Sequence, residues 1–189
     1  MNTLSLNILD IVQNSIRAEA GIITTEIIES ESDDRYLITI TDNGKGIPPE
    51  ILENVTDPFV TTRTRRRMGL GLSLLKHHAE LTGGGLKIRS EQGKGTEVVA
   101  LFSNSHIDRQ PMGDIPGVMI ILIAANPGIN FIYRHCTDSG EYLFSTSEVK
   151  EYLEVETLND RALLADIRIM INENLKEINA SGINYEAVF

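Results

Sequence analysis

Apolar residues at Ile8, Leu9, Val12 and Ile16 recur at helical spacing, which predicts a helix over residues 4–20 with one core-facing side and Gly21 as its C-terminal glycine. The period then changes to two. Residues 22–29 and 35–41 are predicted as strands of a hairpin, joined by the acidic connection 30–34. Pro48 and Pro49 stand in the tolerated first turn of a short helix that runs through Glu53. Residues 54–68 carry no sustained periodicity, and a long connection of this kind inside a compact domain is a lid, a binding loop or disorder. A second amphipathic helix opens at Gly69-Leu70-Gly71-Leu72-Ser73 and runs through Leu75, His78 and Leu81 to the Gly83-Gly84-Gly85 stop. Strands at 86–90 and 97–102 flank Gly93-Lys94-Gly95-Thr96. Beyond the turn-rich stretch 103–116, the continuous apolar run 117–125 reads as a buried strand. A hairpin follows, with strands at 130–136 and 141–145. Two helices close the pattern, one over 147–155 with Ser147 as its cap and one over 160–178.

The order of elements predicts an α+β chain with a first domain over 1–104 and an α+β extension over 117–189, the latter large enough for a marginal core of its own or for packing on the first domain. At 189 residues there is room for both. No apolar run is long enough to span a bilayer, and residues 1–6 lack the basic start and apolar core of a signal peptide. Cys136 is the only cysteine, which excludes an internal disulfide and a cysteine-rich metal site and suits a cytoplasmic compartment.

Charge adds an asymmetry. The net charge of -10 argues against nucleic-acid binding through phosphate neutralisation. Residues 1–105 hold 11 Lys and Arg against 14 Asp and Glu, whereas 106–189 hold 6 against 13. The basic residues gather at Arg63, Arg65, Arg66 and Arg67.

Candidate chemistry is concentrated in the first domain. The strand ending in Asp42-Asn43-Gly44-Lys45-Gly46-Ile47-Pro48 delivers a carboxylate to a glycine-bearing turn. Such a turn is either plain hairpin chemistry or a place where backbone approaches a flat ligand and Asp42 accepts a hydrogen bond from an exocyclic amine. Asp10 and Asn14 share a helix face, with Arg17 nearby; the face is either a solvated stripe or the source of a hard oxygen ligand for Mg²⁺ and a general base. Gly69 and Gly71 open a helix whose unpaired N–H groups and positive dipole end suit an anion, or simply give a flexible start. The adjacent His77 and His78 point in different directions and read as packing and surface residues. His135-Cys136 reads as a strand pair with one member buried.

Taken in order, the Asn14 helix, the Asp42-x-Gly44-x-Gly46 turn, the Gly69-x-Gly71 helix and Gly93-x-Gly95-Thr96 resemble the ATP-binding domain of the GHKL superfamily, shared by histidine kinases, type II topoisomerases, MutL mismatch-repair proteins and heat-shock chaperone ATPases. The resemblance covers roughly residues 4–102. It implies a two-layer α/β sandwich of the Bergerat type, a mixed sheet with helices on one face, binding ATP and Mg²⁺. By the same resemblance Asn14 is the magnesium ligand, Asp10 the general base, and Asp42 the adenine-binding carboxylate. Gly44, Gly46 and Ile47 lie beside the base, Gly69, Leu70, Gly71 and Leu72 at the triphosphate, and Thr96 in the water network near adenine. Asp57-Pro58-Phe59 followed by Thr61-Thr62-Arg63 is similar to the lid-side motif of the histidine kinase branch, which implies nucleotide contacts at Phe59 and Thr62 and a catalytic arginine at Arg63.

Two departures qualify the resemblance. Arg67 stands where this branch usually has a further glycine, and no helical hairpin with a phosphoacceptor histidine precedes the Asn14 helix. The expected function is therefore that of a protein kinase acting in trans on a partner protein, on His or on Ser, in signalling or regulation. The alternatives are a slow ATPase and a nucleotide-gated binding module. The extension is expected to recruit the partner or to make a homodimer, with no nucleic acid and no membrane involved.

Overall fold

In the computed structural model, residues 3–53, 55–56 and 70–182 are described, Leu70 by its backbone alone. The first helix, α1 (Leu4–Arg17), buries Leu4, Ile8, Ile11 and Val12 along one stripe, as its spacing dictates. It stops short of the predicted residue 20. Lys45 donates its backbone N–H to Ala18 O at 2.8 Å, which turns the chain at residue 18. The left-handed position consequently falls on Glu19, with φ +61°, and not on Gly21.

Six strands form one sheet: β1 (Ile22–Ser30), β2 (Arg35–Asp42), β3 (Gly85–Glu91), β4 (Gly95–Ser103), β5 (Asn130–Thr137) and β6 (Gly140–Ser145), in the order β3-β4-β2-β1-β5-β6. All neighbours are antiparallel except β1 and β5, which run parallel, so the sheet is mixed. Alternate residues enter the core. Ile23 and Ile27 of β1, Tyr36, Ile38 and Ile40 of β2, Val98, Ala100 and Phe102 of β4, and Phe131 and Tyr133 of β5 are all buried. Against that face lie α1, α3 (Leu70–Leu81), α4 (Ile115–Ala125) and α6 (Arg161–Glu177), with α1 packed on α3 and α4, and α4 on α6. The result is a two-layer α+β sandwich with helices on one face. Two short helices, α2 (Pro49–Leu52) and α5 (Thr146–Leu153), sit at strand ends, and the residue capping α5 is Ser145 in place of Ser147.

The stretch 117–125 is corrected from strand to helix. A continuous apolar run has no period to distinguish the two. Here Asp114 accepts a hydrogen bond from the Gly117 N–H at 2.8 Å, Pro116 occupies the first turn, and the helix is wedged between α1 and α6. The strand beside β1 is β5 instead. It carries a buried polar cluster into the core: His135 donates Nε2–H to Glu29 of β1 at 2.6 Å, while the Tyr133 hydroxyl is hydrogen-bonded to His135 Nδ1 at 2.5 Å. Glu29 also receives the backbone N–H of Ser181, three residues beyond the C-cap Ile178 of α6. Among the described residues no helix is long and apolar enough to cross a membrane.

Candidate functional site

Register places three polar side chains in one row across the sheet. Asp42 at the end of β2 pairs with Thr96 on β4, and Thr96 pairs with Ser90 on β3. The next row inward is apolar, Ile40, Val98 and Ile88. Asp42 is only 8% exposed, and its two carboxylate oxygens are separately fixed. Ser15 of α1 donates its hydroxyl to Oδ2 at 2.6 Å, and the Gly44 N–H donates to Oδ1 at 2.9 Å. A carboxylate has about four acceptor sites, so spare lone pairs remain for a ligand.

Above this row opens a cleft lined by Ile11, Asn14, Ser15, Ala18, Asp42, Gly46, Ile47, Leu72, Ile88, Thr96 and Val98. Apolar walls with a few convergent polar groups are the usual make-up of a small-molecule site. Ile11, Ile47, Leu72, Ile88 and Val98 supply surfaces for a flat apolar body, and Asp42 an acceptor for a donor on its edge. The wall at 46–47 depends on glycine. Gly46 has φ +68°, and a Cβ there would stand 2.2 Å from Glu91 O. The same turn is held by Gly93 N–H to Lys45 O at 2.8 Å and by Ile47 N–H to Ser90 Oγ at 2.8 Å.

The polar end of the cleft comes from α1 and the start of α3. Asn14 Oδ1 accepts a hydrogen bond from Arg17 Nη1 at 2.7 Å, so the oxygen suited to Mg²⁺ is held by a guanidinium one turn further along the helix. Asp10 lies against Gly71 in the first turn of α3, where a Cβ would fall 1.7 Å from Asp10 Oδ2. A side chain at 71 and the observed position of Asp10 exclude each other. The amide oxygen of Asn14 is a hard donor of the kind Mg²⁺ accepts, and Mg²⁺ usually keeps waters and takes phosphate oxygens beside one or two protein ligands. Among the described residues no three His, Cys, Asp or Glu gather into a metal site. Among the described residues, Asn14 is the one whose side-chain oxygen would hold a metal at this end of the cleft.

Of the residues singled out in the sequence, the fold brings Asn14, Asp42, Gly46, Ile47, Leu72 and Thr96 to one cleft. Gly44 ties the turn to Asp42, Asp10 and Gly71 meet at the head of α3, and Leu70 is the first residue of that helix. Phe59, Thr62, Arg63 and Gly69 lie outside the described residues. The fold adds Ser15, Ile11, Ala18, Ile88 and Val98 to the lining and sets Ser90 behind Thr96. Strand alternation implies Ile88 and Val98, but the roles of the two serines depend on which strand or helix they are brought against.

Known proteins resemble part of this chain. It is 42% identical over 90 residues to the sensor histidine kinase ZraS of Salmonella typhi, which covers 47% of this chain and 19% of that protein. It is 36% identical over 93 residues to sporulation kinase D of Bacillus subtilis, covering 48% of this chain and 18% of the kinase. The chain thus spans about a fifth of the length of these curated relatives. Among solved structures, the Aquifex aeolicus MutL ATPase domain complexed with ADP superposes with a TM-score of 0.51 at 19% identity, covering 82% of this chain and 70% of that one, a likeness of fold. Residues 2–105 match the family model for histidine kinase-, DNA gyrase B- and HSP90-like ATPases, and with more than half its length inside that model the chain belongs to this family.

Proposed function

We propose that this protein binds Mg-ATP in the cleft between α1, α3 and the β2–β4 end of the sheet and transfers the γ-phosphoryl group to a partner protein. The observation that carries this reading is Asp42, a buried carboxylate fixed at both oxygens beneath apolar walls, an acceptor for the exocyclic amine of adenine. The relatives named as kinases favour phosphoryl transfer over other uses of ATP. Asn14 is the residue that would hold Mg²⁺, and the metal would supply charge neutralisation between phosphate oxygens. Arg17 lies one turn from Asn14 and holds its Oδ1, so a metal on Asn14 would free that guanidinium for a neighbouring anion. Asp10, which lies against Gly71 at the head of α3, would be the general base. Phosphoryl transfer asks mainly for positioning and charge stabilisation. The acceptor is a His or Ser side chain of the partner, in a cytoplasmic setting, with the surface built from β5, β6, α5 and α6 recruiting that partner or a second copy of this chain.

Incubation with γ-labelled ATP and a cell lysate tests the reading. Label on another protein, lost in an Asp42→Ala variant, is the expected result. Release of free phosphate alone would replace the kinase by a slow ATPase. Retention of intact nucleotide would make the protein a nucleotide-gated binding module, the reading that Arg67 in place of a glycine favours.

A further inference from the structure

We infer that Ser90, which does not line the cleft, is a positioning residue that fixes the hydrogen-bond polarity of Thr96 and thereby the choice of base. The inference rests on the reading of the cleft as an ATP site. A serine hydroxyl has one proton and two lone pairs. Ser90 Oγ receives the Ile47 N–H at 2.8 Å, and it lies 2.8 Å from Gly95 O and 2.9 Å from Thr96 Oγ1. A carbonyl oxygen only accepts, so the single Ser90 proton goes to Gly95 O. The contact with Thr96 then has one possible direction: Thr96 donates and Ser90 accepts, which saturates Ser90.

Thr96 has spent its proton behind the cleft wall and offers only lone pairs to the cleft that it lines. Ser15 is in the same condition, because its proton is committed to Asp42 Oδ2 at 2.6 Å. Asp42 is acceptor-only when ionised. The side-chain oxygens at this end of the cleft, from Asp42, Ser15 and Thr96, therefore all face a ligand as acceptors. An amine at the base edge is matched by them, directly or through water, whereas a carbonyl in its place meets lone pairs without a donor. A site built to pair with a substrate N–H rejects an analogue lacking it far more strongly than a hydrophobic pocket rejects a change of shape.

Removing the Ser90 hydroxyl releases the Thr96 proton, which can rotate into the cleft and meet a carbonyl. The experiment is titration of the whole protein with Mg-ATP and with Mg-inosine triphosphate, which carries a carbonyl where ATP has its amine. The wild-type protein is expected to bind ATP the more tightly. In Ser90→Ala the ratio of the two dissociation constants falls at least about tenfold, and Ser90→Thr, which keeps the hydroxyl, restores it. General loosening of the Gly46-Ile47 turn would weaken both nucleotides together and leave the ratio unchanged, so an unchanged ratio in Ser90→Ala overturns the inference. If Ser90→Ala does not fold, Thr96→Val takes its place: loss of the acceptor must also lower the ratio, and a wild-type ratio there overturns the inference equally. A wild-type protein that binds neither nucleotide would instead refute the ATP reading.

Discussion

At the scale of single residues, the site depends on groups whose positions exclude alternatives. Gly71 is the clearest. The Asp10 carboxylate fills the space a side chain would need, with 1.7 Å between Oδ2 and an ideal Cβ. Gly71→Ala must therefore displace Asp10. If Asp10 is the base, phosphate transfer or release should fall by roughly 10²-fold in Gly71→Ala, and adding Asp10→Asn should reduce it little further, since both changes remove one interaction. Kinetics of the two single variants and the double variant check this, and fully additive losses would separate Asp10 from Gly71. How much of the site could be read in advance divides along the same line. Asp42, Asn14 and Gly71 stand out as candidates because strand alternation, helical spacing and a glycine-led helix start are local signals, and the order of the motifs then assigns them roles by resemblance. Ser15 and Ser90 are not, because a hydroxyl acquires its role only from the atoms that tertiary packing puts beside it.

Between elements, the join of β1 to β5 shows what sequence periodicity reveals and what it hides. The strands of the first hairpin and the helix α6 follow from alternation and from helical spacing. The helix α4 does not, since a run apolar on every side fits a buried strand equally well until Asp114 is seen capping it. No local signal indicates that β5 lies parallel to β1, because parallel pairing joins segments a hundred residues apart. The joint holds a group with a pH signature. Burial opposes ionisation of Glu29, but the hydrogen bond and charge of His135 with the backbone N–H of Ser181 outweigh it and hold the carboxyl below its ordinary value of 4.5. A carboxyl depressed in the folded state stabilises the fold fully above 4.5, and that contribution is lost as pH falls through the lower, folded value. Glu29→Gln should cost about 1–3 kcal/mol at neutral pH and flatten the decline of the thermal midpoint below pH 4.5. Melting curves from pH 7 downward test this, and parallel declines in the two proteins would remove Glu29 from the acid response.

Taken as a whole molecule, the chain runs one sheet through two differently charged segments. The four strands β3-β4-β2-β1 belong to the region matched by the family, and β5 and β6 continue the same sheet beyond it. The helices α4 and α6 extend the layer begun by α3 and α1. The core under α1, which aims Asn14 and Ser15 at the cleft, is thus shared with the later segment through α4. The cleft lies at the opposite side of the sheet order from β6, between α1, α3 and the β4–β2 pair, and among the described residues its lining ends at Val98, before the later segment begins.

All of this rests on Asp42 as the acceptor for a nucleotide base. Titration calorimetry of the wild-type chain and of Asp42→Asn with Mg-ATP tests it most directly. Asn presents an amide in place of one carboxylate oxygen, so either the Ser15 or Gly44 bond or the bond to the base loses its acceptor, at roughly 1–3 kcal/mol for a buried group. The account predicts affinity lower by at least about tenfold in the variant, with its thermal unfolding still cooperative. Equal affinity in the two proteins would contradict it.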